Sequence, residues 1–205
     1  MRVKQHSKTS YYIVILVMIY IISLPAGILG ETYFSYSTTI PEKQLLKEVG
    51  VQAFSYAYKD LSEDELGLPV CKEETISKGL DREIEELFND PSIYFLALYN
   101  NDELIGWATA DTPKDGLLYG RFMALKPEFC HQGFAQELGL KLLAIIRKDY
   151  WINKITVMTR KKNSISCNFY KKHGFKESSY AHQGFNSVHF IGFQIDLEEL
   201  LNSVK

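Results

Sequence analysis

Cysteine is scarce and unpaired in this chain. Cys71, Cys130 and Cys167 form no even framework and no Cys-x-x-Cys spacing, which argues against a disulfide scaffold and a structural zinc site. Charge of one sign is also lacking. The formal net charge is −2, and no basic stripe is present that could displace phosphate counterions, so a nucleic-acid partner is not expected. Internal repeats and low-complexity tracts are absent. What remains is 205 residues with 46% hydrophobic and 13% aromatic side chains, enough for a packed core in one ordinary domain plus an appendage.

The appendage is visible in how charge is distributed. Arg2, Lys4 and Lys8 precede an uncharged apolar run, Tyr11 to Gly30, and the rest of the chain holds 20 basic against 25 acidic residues. As a helix rising about 1.5 Å per residue, the run is roughly 30 Å long, the thickness of a bilayer core. It also has the parts of a signal peptide: a basic start, an apolar centre from Ile13 to Ile22 and a helix-breaking Pro25, although the small-residue cleavage rule is poorly met. The run has no polar face, unlike a core helix. Residues 1–30 are therefore expected to be an N-terminal signal-anchor or signal peptide, and residues 31–205 the folded body. Localisation follows as membrane-associated through residues 11–30, or secreted if the segment is cleaved. Basic charge ahead of the run favours an N-terminus inside and a body outside the cytosol. The unpaired thiols suit a reducing compartment instead.

Along the body, hydrophobic periodicity predicts a strand over 32–39, a helix opened by Pro41 with Leu46, Val49, Ala53 and Ala57 on one face, and an acidic loop over 61–69. A second helix follows over 73–89, with Ile76, Leu80, Ile84 and Leu87 as its apolar stripe. Strands are predicted over 92–99, 104–110 and 116–125, the first two joined by the turn Asn100-Asn101-Asp102. A helix over 133–148, a strand over 154–159, a helix over 164–173 and a two-stranded hairpin over 175–195 complete the order β-α-α-β-β-β-α-β-α-β-β. Composition and order alone give a mixed α/β domain.

Two stretches carry chemistry. The first, Asn163-Ser-Ile-Ser-Cys-Asn-Phe169-Tyr170-Lys-Lys172-His-Gly174-Phe175, is an Asn helix start, a short helix with cationic last turn and a Gly stop. It sets Tyr170 beside an apolar anchor, Phe169, so that the tyrosine can face a cleft while its neighbour faces the core. The second, Leu125-Lys-Pro-Glu-Phe-Cys130-His131-Gln132-Gly133-Phe134-Ala135, joins a strand to a helix. Unpaired backbone N–H groups at such a helix start, together with its dipole, suit a pyrophosphate, and Gly133 lets the backbone approach closely.

Together these stretches resemble the GNAT superfamily of N-acetyltransferases, over essentially Thr32 to Asp196. The resemblance implies an α/β (α+β) fold with a mixed, mostly antiparallel central sheet flanked by helices, here preceded by the N-terminal apolar helix. It also implies an acetyl-coenzyme A-dependent N-acetyltransferase with direct transfer and no metal. By the same resemblance, Tyr170 is the general acid that protonates the departing thiolate. His131, Gln132, Gly133, Phe134 and Ala135 form the cofactor loop, acting mainly through main-chain amides, and Cys130 stands where the family usually has Arg or Gln. The backbone of Met123 to Leu125 would bind the pantetheine arm, as would the side chain of Asn163, and an amide near Leu125 would polarise the thioester carbonyl. The strand carboxylate that serves as base in some members is absent from Leu118-Tyr119-Gly120-Arg121, leaving a water chain or Glu128, His182 or His189.

The acceptor is a small-molecule or peptide amine. The acidic stretch from Glu63 to Asp90, which in the family's arrangement overhangs the amine site, reads either as a wall that concentrates a polycationic acceptor or as a solvated helix face. A function from another class is a membrane-tethered acyl-coenzyme A-binding module without turnover.

Overall fold

The computed structural model describes residues 33–68, 71–179 and 188–203. The chain divides into two units, Met1–Tyr33 and Phe34–Lys205, and the apolar run lies outside the described residues. Among the described residues, no helix is long and apolar enough to cross a membrane.

The second unit is a seven-stranded sheet flanked by helices. In chain order its elements are β1 (Phe34–Ser37), α1 (Lys43–Ala57), α2 (Glu63–Leu66), α3 (Lys72–Asn89), β2 (Tyr94–Asn100), β3 (Glu103–Ala110) and β4 (Leu117–Leu125). A 3-10 turn (Pro127–Phe129) then leads to α4 (Phe134–Ile146), β5 (Lys154–Arg160), α5 (Ser164–Lys172), β6 (Lys176–Ser178), β7 (Phe190–Asp196) and α6 (Leu197–Ser203). The strands lie in the order β1-β2-β3-β4-β5-β7-β6. Every neighbouring pair is antiparallel except β4 and β5. This is the mixed, mostly antiparallel sheet that the resemblance implied.

Three local expectations need correction. Pro41 does not open α1. Glu42 occupies the N-cap in an extended conformation and helical geometry begins at Lys43. The predicted loop over 61–69 contains α2, closed by a capping box in which Ser62 accepts from the Glu65 amide while the Glu65 side chain accepts from the Ser62 amide. The chain also continues past the last strand into α6, whose first turn carries Glu198 and Glu199 as the helix dipole favours.

Period-two alternation divides the core between the two faces of the sheet. On β2, Leu96 and Leu98 join Leu138, Leu142 and Ile146 of α4, whereas Phe95 and Ala97 join Leu46, Val49, Leu80 and Ile84 of α1 and α3. Trp107 anchors the second face. Its ring is fully buried and stacks on Phe122 at 4.3 Å, and its Nε1 donates to the Leu46 carbonyl at 3.0 Å. Gly50 of α1 faces Leu80 of α3 so closely that a Cβ there would collide with it, so the two helices pack against each other through that point.

Candidate active site

The site begins where the sheet comes apart. β4 and β5 pair only from Leu117 to Gly120 and from Lys154 to Val157. Beyond Gly120, β4 is bonded to β3 alone, and beyond Val157, β5 is bonded to β7 alone. The Lys126 amide donates to the Ile105 carbonyl at 2.8 Å, which fixes the phase of the β3–β4 ladder. By the alternation of an antiparallel pair, the peptide groups of Met123 and Leu125 therefore point away from β3, into the gap. The Met123 side chain lies over Gly139 of α4.

The loop from β4 to α4 closes one end of this gap. The Phe129 and Cys130 amides bond back into the 3-10 turn, and the Gly133 carbonyl accepts from Glu137 at 3.0 Å to start α4. Between them, none of the amides of residues 131–136 donates to an acceptor among the described residues. His131 (φ 63°) and Gly133 (φ 91°) both have left-handed backbones, which curl the loop so that these donors gather at the head of the helix. A Cβ on Gly133 would meet nothing within 4 Å. Glycine is thus required there by backbone angle, and the space beside it is open to a ligand.

The loop side chains point elsewhere. Phe134 packs on Phe34 with ring centroids 4.6 Å apart, Ala135 joins the core, and Gln132 Nε2 donates to the Glu128 carbonyl at 2.8 Å. His131 and Gln132 are exposed. Cys130 rests with its Sγ 3.7 Å from the Lys126 carbonyl, and burial, followed by nearby Glu128, raises its pKa. A thiol held neutral in this way is a packing group rather than a nucleophile.

α5 follows β5, the other strand of the gap. Asn163 caps it, its Oδ1 accepting from the Ser166 amide at 3.0 Å. Asn163 is only 2% exposed, and its side chain also interacts with the Tyr58 hydroxyl. Tyr170 is half-buried, with Phe175 and Phe193 each 5.4 Å away between ring centroids. Burial pushes its phenol up to about 12, with lesser contributions from Cys167 and Tyr58. His173 packs on Phe169 at 4.6 Å, and burial followed by Lys172 lowers its pKa, consistent with a neutral packing group.

Tyr58, at the end of α1, was not anticipated. It is 6% exposed, and burial raises its pKa while the Arg160 charge and hydrogen bonding from Asn163 and Arg160 act in the opposite direction. Tyr58, Asn163, Arg160 and Tyr170 thus form one cluster, assembled from α1, β5, the β5–α5 turn and α5.

The stretch Leu118–Arg121 offers no base. Arg121 is the extra residue of a β-bulge, since Thr109 pairs with Phe122 while Ala110 pairs with Gly120. Its guanidinium binds Glu83 at 3.0 and 3.1 Å, Asp111 at 2.9 Å, and Glu86. Burial opposes this charge, but the hydrogen bonds and charges of Glu83, Asp111 and Glu86 outweigh it and hold Arg121 protonated. Other acids of the Glu63–Asp90 stretch are engaged too: Asp81 with Lys47, Glu85 with Lys43, Glu74 with Lys78, Glu63 with the Lys72 amide, and Glu65 in its capping box. Of the other base candidates, Glu128 is exposed on the 3-10 turn, His189 lies against Gly67, and His182 falls outside the described residues.

Comparison with known proteins agrees with this arrangement. A family model described as acetyltransferase (GNAT) family matches residues 56–175. No curated protein matches the chain in sequence. Among solved structures, the chain is similar to the PaiA N-acetyltransferase of Thermoplasma acidophilum in complex with coenzyme A, with 20% identity, a TM-score of 0.63, and 80% of this chain and 99% of that one covered. An acetyltransferase from Streptococcus agalactiae is 14% identical with a TM-score of 0.59, covering 80% and 98%. The ribosomal-protein-S18-alanine N-acetyltransferase of Escherichia coli is 13% identical with a TM-score of 0.51, covering 80% and 94%.

Proposed function

The chain belongs to the GNAT acetyltransferase family, and from that premise we propose that it moves an acetyl group from acetyl-coenzyme A directly to an amine, with Tyr170 as the acid at the leaving sulfur. The observation that carries this reading is the set of amides at residues 131–136 that find no acceptor among the described residues, just beyond the stretch of β4 that has parted from β5. Six clustered N–H donors at the head of a helix match an anionic pyrophosphate. The gap-facing peptide groups of Met123 and Leu125 match an amide-bearing pantetheine arm, and the Leu125 amide would serve to polarise a thioester carbonyl. Asn163, already engaged by its cap and by Tyr58, acts on that arm through the position of α5.

A phenol near 12 keeps its proton across the physiological range. It is a weaker acid than a reference thiol at about 8.5. Tyr170 therefore serves by donating a hydrogen bond that strengthens as charge builds on sulfur, an interaction specific to the transition state. With no carboxylate free on β4, the amine loses its proton to water.

The test is free-thiol release from acetyl-coenzyme A by the full chain against a panel of amines. Thiol release that depends on amine supports transfer. Tight cofactor binding without release under any amine supports the alternative, a membrane-tethered acyl-coenzyme A-binding module. A polycationic acceptor is the weaker version of the substrate, because so many acids of the Glu63–Asp90 stretch are engaged within the fold. Residues 11–30 are proposed to attach the protein to a membrane or direct its export, and recovery of the intact chain in the soluble fraction would refute attachment.

A further inference from the structure

Arg160 ends β5 beyond the point where that strand has parted from β4. Its guanidinium donates to the Leu66 carbonyl at the end of α2, lies 4.7 Å from the centroid of the Phe190 ring, and interacts with the Tyr58 hydroxyl. Tyr58 in turn is an electrostatic neighbour of Tyr170, so Arg160 stands one side chain away from the group assigned to the leaving sulfur.

The other half-buried guanidinium, Arg121, gathers three carboxylates. Arg160 has none among the described residues. Of the acids on α2, Glu63 accepts from the Lys72 amide, Glu65 accepts from the Ser62 amide and hydroxyl, and Asp64 is exposed. The segment 180–187, which leads into β7, contains no Asp or Glu. Burial works against the Arg160 charge, and only Tyr58 opposes it. A desolvated cation without a counter-ion is costly to keep, and protein sites that hold one ordinarily recruit an anion. The planar guanidinium has five N–H donors, more than a carbonyl and a phenol can use, and the Phe190 ring fixes its plane.

We propose that Arg160 anchors a carboxylate of the acceptor, so that the amine acetylated by this protein belongs to an amino acid or to a short peptide with a free C-terminal carboxylate. The assignment rests on the acetyl-transfer reading above, because it needs the Tyr58–Tyr170 corner to be where the amine arrives. A planar fork facing a carboxylate holds it by paired hydrogen bonds and sets its orientation. The Tyr58 hydroxyl then lies between the anchored carboxylate and the reacting centre, as a spacer that selects acceptors of matching length.

Calorimetric titration of the full-length protein saturated with coenzyme A provides the test, using free amino acids and dipeptides, each beside its C-terminal amide. At least one free acid should bind about tenfold or more tightly than its amide. Arg160→Gln should erase that difference, and Arg160→Lys, which keeps the charge without the fork, should restore only part of it. If Arg160 merely latches α2 to β5, the variants weaken acid and amide alike. Equal affinity of acid and amide across the panel, undetectable binding included, overturns the proposal in the wild-type protein, without reliance on a variant that has to fold. Thiol release is scored separately. Turnover of simple amines with no preference for a carboxylate keeps acetyl transfer and removes the anchor. Carboxylate-dependent binding without thiol release keeps the anchor and removes the transfer reading.

Discussion

The two sides of the gap between β4 and β5 are built from different materials. The β4 side is main chain: the peptide groups of Met123 and Leu125 and the amides of residues 131–136, with the loop side chains turned into the core or out to solvent. The β5 side is side chain: Tyr170, Asn163 and Arg160 from residues 160–170, and Tyr58 from a distant part of the sequence. A main-chain wall tolerates almost any side chain but no change of backbone angle. A side-chain wall tolerates backbone drift less than the loss of a single hydroxyl. This contrast explains how Cys130 can stand where Arg or Gln is usual in the family. Its side chain packs beneath the loop, and the donors are supplied by the peptide groups that follow it.

The sharpest way to break the contrast is at Gly133. Gly133→Asp puts a side chain at φ 91° and a negative charge among the donors, and cofactor affinity measured by calorimetry should fall by about 10³-fold or more. Gln132→Ala, at the preceding residue but affecting only a bond to the Glu128 carbonyl, should change affinity less than about twofold. Comparable losses in the two variants would show that this side also reads with side chains.

Next in size is Tyr170→Phe, which keeps the ring and its packing. Turnover should drop by about 10²-fold while cofactor affinity stays within about twofold. The raised phenol pKa carries a sign: the protonated form is the active one, so its ionisation should add no falling limb to kcat until the pH approaches 12. A limb at the ordinary tyrosine pKa that vanishes in Tyr170→Phe would place the hydroxyl in water. Tyr58→Phe should be milder, about tenfold in turnover, because it alters the surroundings of Tyr170 without removing the hydroxyl proposed to meet the sulfur. It should also destabilise the fold by about 1 kcal/mol, because buried Asn163 loses a partner. An unchanged melting temperature would detach Tyr58 from the cluster. A similarly small effect belongs to Cys130→Gln, with cofactor affinity within about twofold of the parent; a much larger gain would mean that the loop is limited by a missing side-chain donor.

The same contrast explains what could be read before the fold was known. The cofactor loop and the tyrosine helix each lie within one short stretch, and main-chain sites leave local traces: a strand end, a turn, a glycine and a helix start. Tyr58 and Arg160 are about a hundred residues apart, and nothing in the periodicity of either segment marks them as neighbours; only the packing of α1 and α2 over the end of β5 brings them together. The helix α2 did have a signature, Ser62-x-x-Glu65, masked by the acidic and Gly-Pro character around it. The acidic face of α3 also carried a hint, since Glu83 and Glu86 are three residues apart and so lie on one side of a helix. Their partner Arg121 sits on a bulge, which no alternation pattern predicts.

The short parallel stretch from Leu117 to Gly120 has a mechanical consequence. Among the described residues it is the only strand pairing that joins β1–β4 to β5–β7, so strand pairing leaves the sheet as two halves meeting along a seam. Fluctuations that open the protein part it there first, and slow amide exchange should stop abruptly on either side of that line. A ligand lying against Met123 and Leu125 while touching α5 is then a rivet across the seam. Its arrival should slow exchange in β5 and β7, strands remote from the loop proposed to hold its phosphates. The cofactor would thus be part of the load path of the fold as well as a source of acetyl groups.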